Sequence, residues 1–123
     1  MRFLEYETWR LKKDIDLEAY DKIIKDWFEF VKKNKKELFP EWVSAKYFRK
    51  TDRDGNPNGL FVMLFEYESL EGHHAYKERR KDWDGPYEAY KAVDPYQEFF
   101  ELESVTCEYL QPQAVDSWFD FSK

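Results

Sequence analysis

The chain has 123 residues, the size of one domain with room for one sizeable core. Hydrophobic residues are 42% and charged residues 37%, which excludes a disordered polar chain. A formal net charge of -6 argues against non-specific binding to phosphate backbones, and the longest apolar run, Leu60 to Phe65, is too short to span a bilayer.

Glu5 and Glu7 interrupt any signal-peptide core at the start of the chain. Cys107 is the single cysteine, so no disulfide framework is available, which fits a reducing compartment and an expected cytoplasmic location. The unusual feature is aromatic content: 11 Phe, 9 Tyr and 5 Trp make up 20% of the chain.

Phe3 to Lys12 reads as a strand, with Leu4, Tyr6 and Thr8 on one face and Phe3, Glu5, Glu7, Trp9 and Leu11 on the other. Asp14 or Asp16 then caps a helix, because a short carboxylate accepts the orphan N–H groups of a first turn. Leu17, Tyr20, Ile23, Ile24, Trp27, Phe28 and Val31 recur at steps of three and four, the stripe of an amphipathic helix. It ends through Lys32, Lys33, Lys35 and Lys36 and stops before Pro40.

Trp42 to Lys50 reads as a second strand. Thr51 to Gly59, dense in turn formers, reads as a long hairpin loop. Leu60 to Tyr67 is a third strand, apolar on both faces as a centrally placed strand would be. Ser69 caps a helix from Leu70 to about Asp82, broken by Gly85-Pro86, with a short helical piece over Tyr87 to Val93. Phe100 to Leu110 is the last strand, ended by Gln111-Pro112. The expected division is one domain over 1–112 and an aromatic tail over 113–123 that carries Trp118, Phe119 and Phe121.

The order β-α-β-β-α-β implies an α+β fold of ferredoxin-like type, an antiparallel sheet with both helices on one face. One layer of helices leaves the other sheet face open, although Leu60 to Phe65 is apolar on both sides. A second copy covering that face resolves the conflict, so a homodimer through the sheet is expected. Two expectations stand for the tail: it docks on the partner, or it packs on its own subunit or is mobile.

The run Leu60–Tyr67 into Ser69-Leu-Glu-Gly-His-His-Ala-Tyr76, the break at Gly85-Pro86 and the closing Glu108-Tyr-Leu-Gln-Pro112 resemble the dimeric α/β-barrel superfamily, over nearly the whole chain. The resemblance implies two ferredoxin-like subunits paired sheet to sheet. It spans small monooxygenases that need no metal, haem-degrading enzymes, lactone isomerases and stress-responsive proteins, so it does not select a function. The haem-degrading branch carries an Asn on the first strand, a Trp on the third and a His on the following helix. Here His73 or His74 matches the His by position, and the other two positions fail.

Adjacent His73 and His74 point about 100° apart on a helix and do not readily chelate one metal. His74 with Glu78 four residues on, or His73, is a candidate base. Glu66 ends an apolar run, and a carboxylate buried there needs a partner or a role, which makes it the third catalytic candidate. Glu5, Glu7, Glu66 and Glu68 on neighbouring strands can form an acid/base pair, or pair with cations.

Other patterns lead away from function. Asp52-x-Asp54-x-Asn56 has the spacing of a calcium loop, but Pro57 and Met63 stand where the loop needs Gly and Glu. Gly59 to Phe65 resembles an RNA-binding strand, without the flanking cations that stacking on RNA requires. The basic runs Lys32–Lys36 and Lys77–Lys81 read as solvated last turns, and Cys107 as a core residue.

The expected function is binding of a small hydrophobic or amphipathic molecule in a cleft between sheet and helices, walled by Tyr6, Trp27, Tyr47, Phe65 and Trp83. Cofactor-independent monooxygenation or isomerisation, and a structural or regulatory dimer without a ligand, are the alternatives. No metal, cofactor, nucleic acid or membrane partner is expected.

Overall fold

The computed structural model describes residues 2–113; the aromatic positions Trp118, Phe119 and Phe121 lie outside the described residues. The strands are β1 (Phe3–Trp9), β2 (Trp42–Thr51), β3 (Pro57–Tyr67) and β4 (Thr106–Leu110), joined in one antiparallel sheet of order β2-β3-β1-β4. The helices are α1 (Leu17–Lys33), α2 (Lys35–Leu38), α3 (Leu70–Arg80) and α4 (Tyr96–Phe99), with a 3-10 turn over Glu88–Val93. The fold is α+β and ferredoxin-like, as the element order implies.

Local chemistry sets the boundaries. Asp16, not Asp14, caps α1 by accepting from the N–H groups of Glu18 and Ala19, while Asp14 takes the left-handed backbone (φ 59°) of the turn before it. Ser69 caps α3 through the Gly72 N–H at 2.9 Å. The hairpin between β2 and β3 is tighter than the long loop expected. The Asp52 carboxylate accepts from the N–H groups of Asp54 and Asn56, Gly55 takes φ 87°, and pairing resumes at Thr51 with Pro57. Pro57 is tolerated in a strand because β1 reaches only as far as the pair Trp9–Phe61, so the start of β3 is bonded on one side only.

The last strand is interrupted where a continuous run from Phe100 was expected. Leu11 bridges to Phe100, the Lys12 N–H donates to the Phe99 carbonyl, and the Glu101 N–H to the Arg10 carbonyl. A 3-10 turn over Leu102–Ser104 follows, and β4 then pairs Thr106 with Thr8. Ser104 fastens the turn: its Oγ donates to the Glu101 carbonyl at 2.6 Å and accepts from the Arg10 N–H at 2.8 Å. The turn lets Phe99 and Phe100 enter the core while Cys107 and Tyr109 keep the register of β1.

Most of the aromatic side chains lie between sheet and helices. Trp9, Tyr20, Trp27, Phe39, Trp42, Tyr67, Tyr76, Tyr87, Tyr90, Phe99 and Phe100 are all buried there. Several of their polar ends bond to one another: the Trp9 Nε1–H donates to the Tyr20 hydroxyl, the Trp27 Nε1–H donates to Tyr90 at 2.7 Å, and Tyr20 and Tyr47 share a hydrogen bond, whereas Trp42 Nε1 and the Tyr76 hydroxyl have no aligned partner. This is how a core tolerates so many Tyr and Trp. The opposite sheet face, away from the helices, carries Leu4, Tyr6, Phe48, Val62, Leu64 and Leu110 among Ser44, Lys46 and Glu66; Phe48 and Leu110 are exposed on it, while Val62 and its cross-strand partner Thr8 are buried.

Arg79 ties the layers at one end. It donates two parallel bonds to Glu41 at 2.7 and 2.8 Å, one to the Leu38 carbonyl and one to the Tyr87 hydroxyl. The bidentate pair holds the Glu41 carboxyl below its ordinary range. Arg79→Ala is expected to cost about 2 kcal/mol in urea unfolding. Lys81→Ala, which removes an exposed pair with Glu78, should cost less than about 0.5 kcal/mol. Equal midpoints for the two variants would contradict this assignment.

Candidate functional site

The alternation along β1 turns Phe3, Glu5, Glu7 and Trp9 toward the helices. Two carboxylates therefore sit between aromatic residues on the face that packs inward. Above them, α3 presents His73, Tyr76, Lys77 and Arg80, one face at helical spacing. Between them lies a cleft of about 940 Å3, bordered by Trp9, Trp27, Phe65, Trp83, Tyr90 and Phe100. That volume suits a small organic molecule.

Glu5 is 3% exposed and fully engaged. Its Oε1 accepts from the Tyr67 hydroxyl at 3.1 Å and lies 3.4 Å from both His73 Nε2 and Lys77 Nζ. Neither ring nitrogen of His73 makes an aligned hydrogen bond, and burial lowers the pKa of His73 below the ordinary histidine value, so the ring is held neutral.

Glu7 is different. Burial, reinforced by the Glu5 charge, pushes its carboxyl up to about 7, and Lys77, Arg80 and Cys107 only partly offset this. A carboxyl that exchanges its proton near neutrality, at the floor of a cleft, is suited to general acid or base work.

The Cys107 thiol lies 3.7 Å from a carboxylate oxygen of Glu5 and of Glu7. Partial desolvation, with those carboxylates beside it, pushes it up to about 12, so it is a protonated donor rather than a nucleophile. It is exposed in the protomer, not a core residue as expected, because β4 is an edge strand and Cys107 faces the open side of the cleft. Glu5, Glu7 and Cys107 bring potential metal-ligand atoms within 4.8 Å of one another, although Glu5 already accepts from Tyr67 and lies 3.4 Å from Lys77 Nζ.

Of the residues singled out from sequence, Trp27, Phe65, Trp83 and His73 border the cleft. Tyr47 stands behind its wall, its ring parallel to Trp9 and Phe61. Tyr6 lies on the open sheet face, under Lys50. His74 is exposed beside the buried His73. Glu66 also stands on the open face, accepting from Ser44 Oγ and 3.5 Å from Arg2 Nε, so it forms no pair with Glu5 or Glu7.

Lys77 and Arg80 border the cleft, which corrects their reading as a solvated last turn. The signal was present: positions 73, 76, 77 and 80 fall on one helix face, and that face contains two buried rings. The pairing of Glu5 with Glu7 was legible from strand alternation. Asp94 and Tyr90 come from the irregular segment after Gly85, which carries no periodicity to place them.

No protein-family model matches the chain, and no curated protein sequence does. Solved structures do match. A dimeric protein of unknown function with a ferredoxin-like fold from Bacteroides fragilis is 13% identical, with 89% of this chain and 95% of that chain covered and a TM-score of 0.57. A NIPSNAP family protein of unknown function from Agrobacterium tumefaciens is 23% identical, with 90% and 87% covered and a TM-score of 0.57. A monooxygenase from Streptomyces coelicolor, solved with the ligand Nanaomycin D, is 15% identical, with 91% and 88% covered and a TM-score of 0.51. At these identities the likeness establishes the ferredoxin-like fold and leaves the chemistry to this chain's own residues.

The raised pKa of Glu7 has a consequence for stability. The folded chain keeps a proton that the unfolded chain releases near pH 4.5, so stability from this group is present below that pH and is lost as pH rises toward about 7. The decline is at most about 3 kcal/mol. Glu7→Gln, measured by urea unfolding at fixed protein concentration, is expected to flatten this part of the profile and to exceed the parent in stability at pH 8. Parallel profiles for the two proteins would contradict the assignment.

Proposed function

We propose that the protein is a homodimer that binds a small amphipathic molecule in the cleft between sheet and helices. The carrying observation is the cleft itself, which is lined both by aromatic rings and by the ionisable groups Glu7, His73, Lys77 and Arg80. An apolar body fits against Trp27, Phe65 and Phe100, and a polar end meets the ionisable groups. No helix among the described residues is long and apolar enough to cross a membrane.

The dimer forms through the open sheet face. Leu4, Tyr6, Phe48, Leu64 and Leu110 make an apolar surface that a second copy covers, and structural neighbours described as dimeric support self-association. Leu64→Glu lies away from the helix-side core, and is expected to convert a dimer into a 15.2 kDa monomer by light scattering while the fold is retained. A monomeric parent, or a variant that stays dimeric, contradicts the proposed interface.

A second reading, proton-transfer catalysis by a cofactor-independent monooxygenase or isomerase, is favoured by Glu7 alone. On a substrate recovered from the cleft, Glu7→Gln would then lower kcat by roughly 100-fold or more, with binding little changed.

Native mass spectrometry of freshly purified protein tests the binding reading first. The expected result is a dimer with a stoichiometric small-molecule mass, or a saturable uptake of added 2-naphthol, one per protomer. No adduct and no saturable uptake would contradict it.

A further inference from the structure

We propose that the occupant of the cleft is an organic anion with an apolar ring body, its charged end held by the Arg80 guanidinium beside Trp83. The proposal rests on the small-molecule reading of the cleft and names the ligand's class.

Three cations border the cleft: Lys77, Arg80 and Lys91. Two of them are paired. Lys77 lies 3.4 Å from Glu5, and Lys91 lies 3.7 Å from Asp84. Arg80 is half-buried, yet among the described residues no carboxylate stands within ion-pair distance of it. Its neighbour Arg79 shows the contrast on the same helix, with both arms of its fork on Glu41.

The Arg80 guanidinium carbon lies 5.5 Å from the centre of the Trp83 ring. The Tyr76 hydroxyl is near it without an aligned hydrogen bond, and Tyr90 and Asp94 act on it at longer range. A half-desolvated guanidinium facing a cleft loses hydration that a bound carboxylate restores in a two-pronged geometry.

The carboxylates in the cleft do not make it a cation site. Glu5 is committed to Tyr67, His73 and Lys77. Burial pushes the Asp94 carboxyl up, and its Oδ1 accepts from the Tyr96 N–H. Glu7 accepts a proton close to neutral pH. An anion arriving at Arg80 adds negative charge near Glu7 and favours that proton further. Binding is therefore coupled to proton uptake, and affinity rises as pH falls from 8 to 6. The groups facing Glu7 set this response: Glu5 from β1, Lys77 and Arg80 from α3, Cys107 and Tyr109 from β4, and Tyr90, Asp94 and Tyr96 from the segment between.

The test is isothermal titration calorimetry of the full chain with three probes that share a ring body: 2-naphthoate, 2-naphthol and 2-naphthylmethylammonium. The expected result is one naphthoate per protomer, bound about tenfold tighter than either other probe. Arg80→Gln is expected to remove that preference, and Arg80→Lys to keep part of it, with a urea-unfolding midpoint close to that of the parent in both as the check on folding. Naphthoate affinity should rise on acidification in the parent and stay flat in Glu7→Gln. Equal affinities in the parent protein, preference for the ammonium probe, or a preference that survives Arg80→Gln would overturn the anion proposal. Such a result would leave the cleft as a small-molecule site. Failure of all three probes to bind saturably would overturn the small-molecule reading as well.

Discussion

Two carboxylates one turn of alternation apart on β1 are turned into the protein rather than out of it, and much of the site follows from that constraint. Glu5 is buried and needs partners: the Tyr67 hydroxyl on β3 donates to it, the Lys77 ammonium on α3 lies 3.4 Å away, and the His73 ring packs beside it. This cluster joins the middle of the sheet to one helix across the layer. Glu7, one pleat further along, lacks such a set and retains a proton to about 7. Holding α3 by its polar groups at this point, instead of by close apolar packing, leaves space between β1 and the helices, and that space is the cleft.

The aromatic excess serves the same architecture. A helix layer packed directly on aliphatic side chains would close over the sheet. Large rings whose polar ends are bonded, Trp9 to Tyr20 and Trp27 to Tyr90, put Trp9, Trp27 and Tyr90 at the border of the cleft. Phe100 completes one wall while Phe99 packs against Tyr20, and the three-residue turn at Leu102–Ser104 allows this without shifting β4 out of register with β1. The rings thus explain the interior more than the open face, where Tyr6 and Phe48 are the aromatic members.

Much of this was legible in the sequence. Alternation placed Glu5, Glu7 and Trp9 on one face of the first strand, and the steps of Tyr20, Ile24, Trp27 and Val31 gave the buried stripe of α1. The βαββαβ order gave the topology. The site was only partly legible. Lys77 and Arg80 looked like solvated cations at a helix end, because composition reports charge and not direction; the helical spacing from His73 and Tyr76 carries the direction. Tyr6 and Tyr47 show the reverse limit. A strand's period assigns a face but not which face the helices cover, nor how far along the sheet a cavity extends. The segment after Gly85 has neither period, so its contribution of Tyr90 and Asp94 required the three-dimensional packing.

The central claim is that Glu7 sits inward at the floor of a cleft and exchanges its proton near neutrality. The most direct measurement is a titration of the glutamate side-chain carboxyl carbons by NMR, with the Glu7 signal assigned from its loss in Glu7→Gln. The expected result is a Glu7 midpoint close to pH 7. A Glu7 midpoint in the usual carboxylate range near pH 4.5 would contradict it.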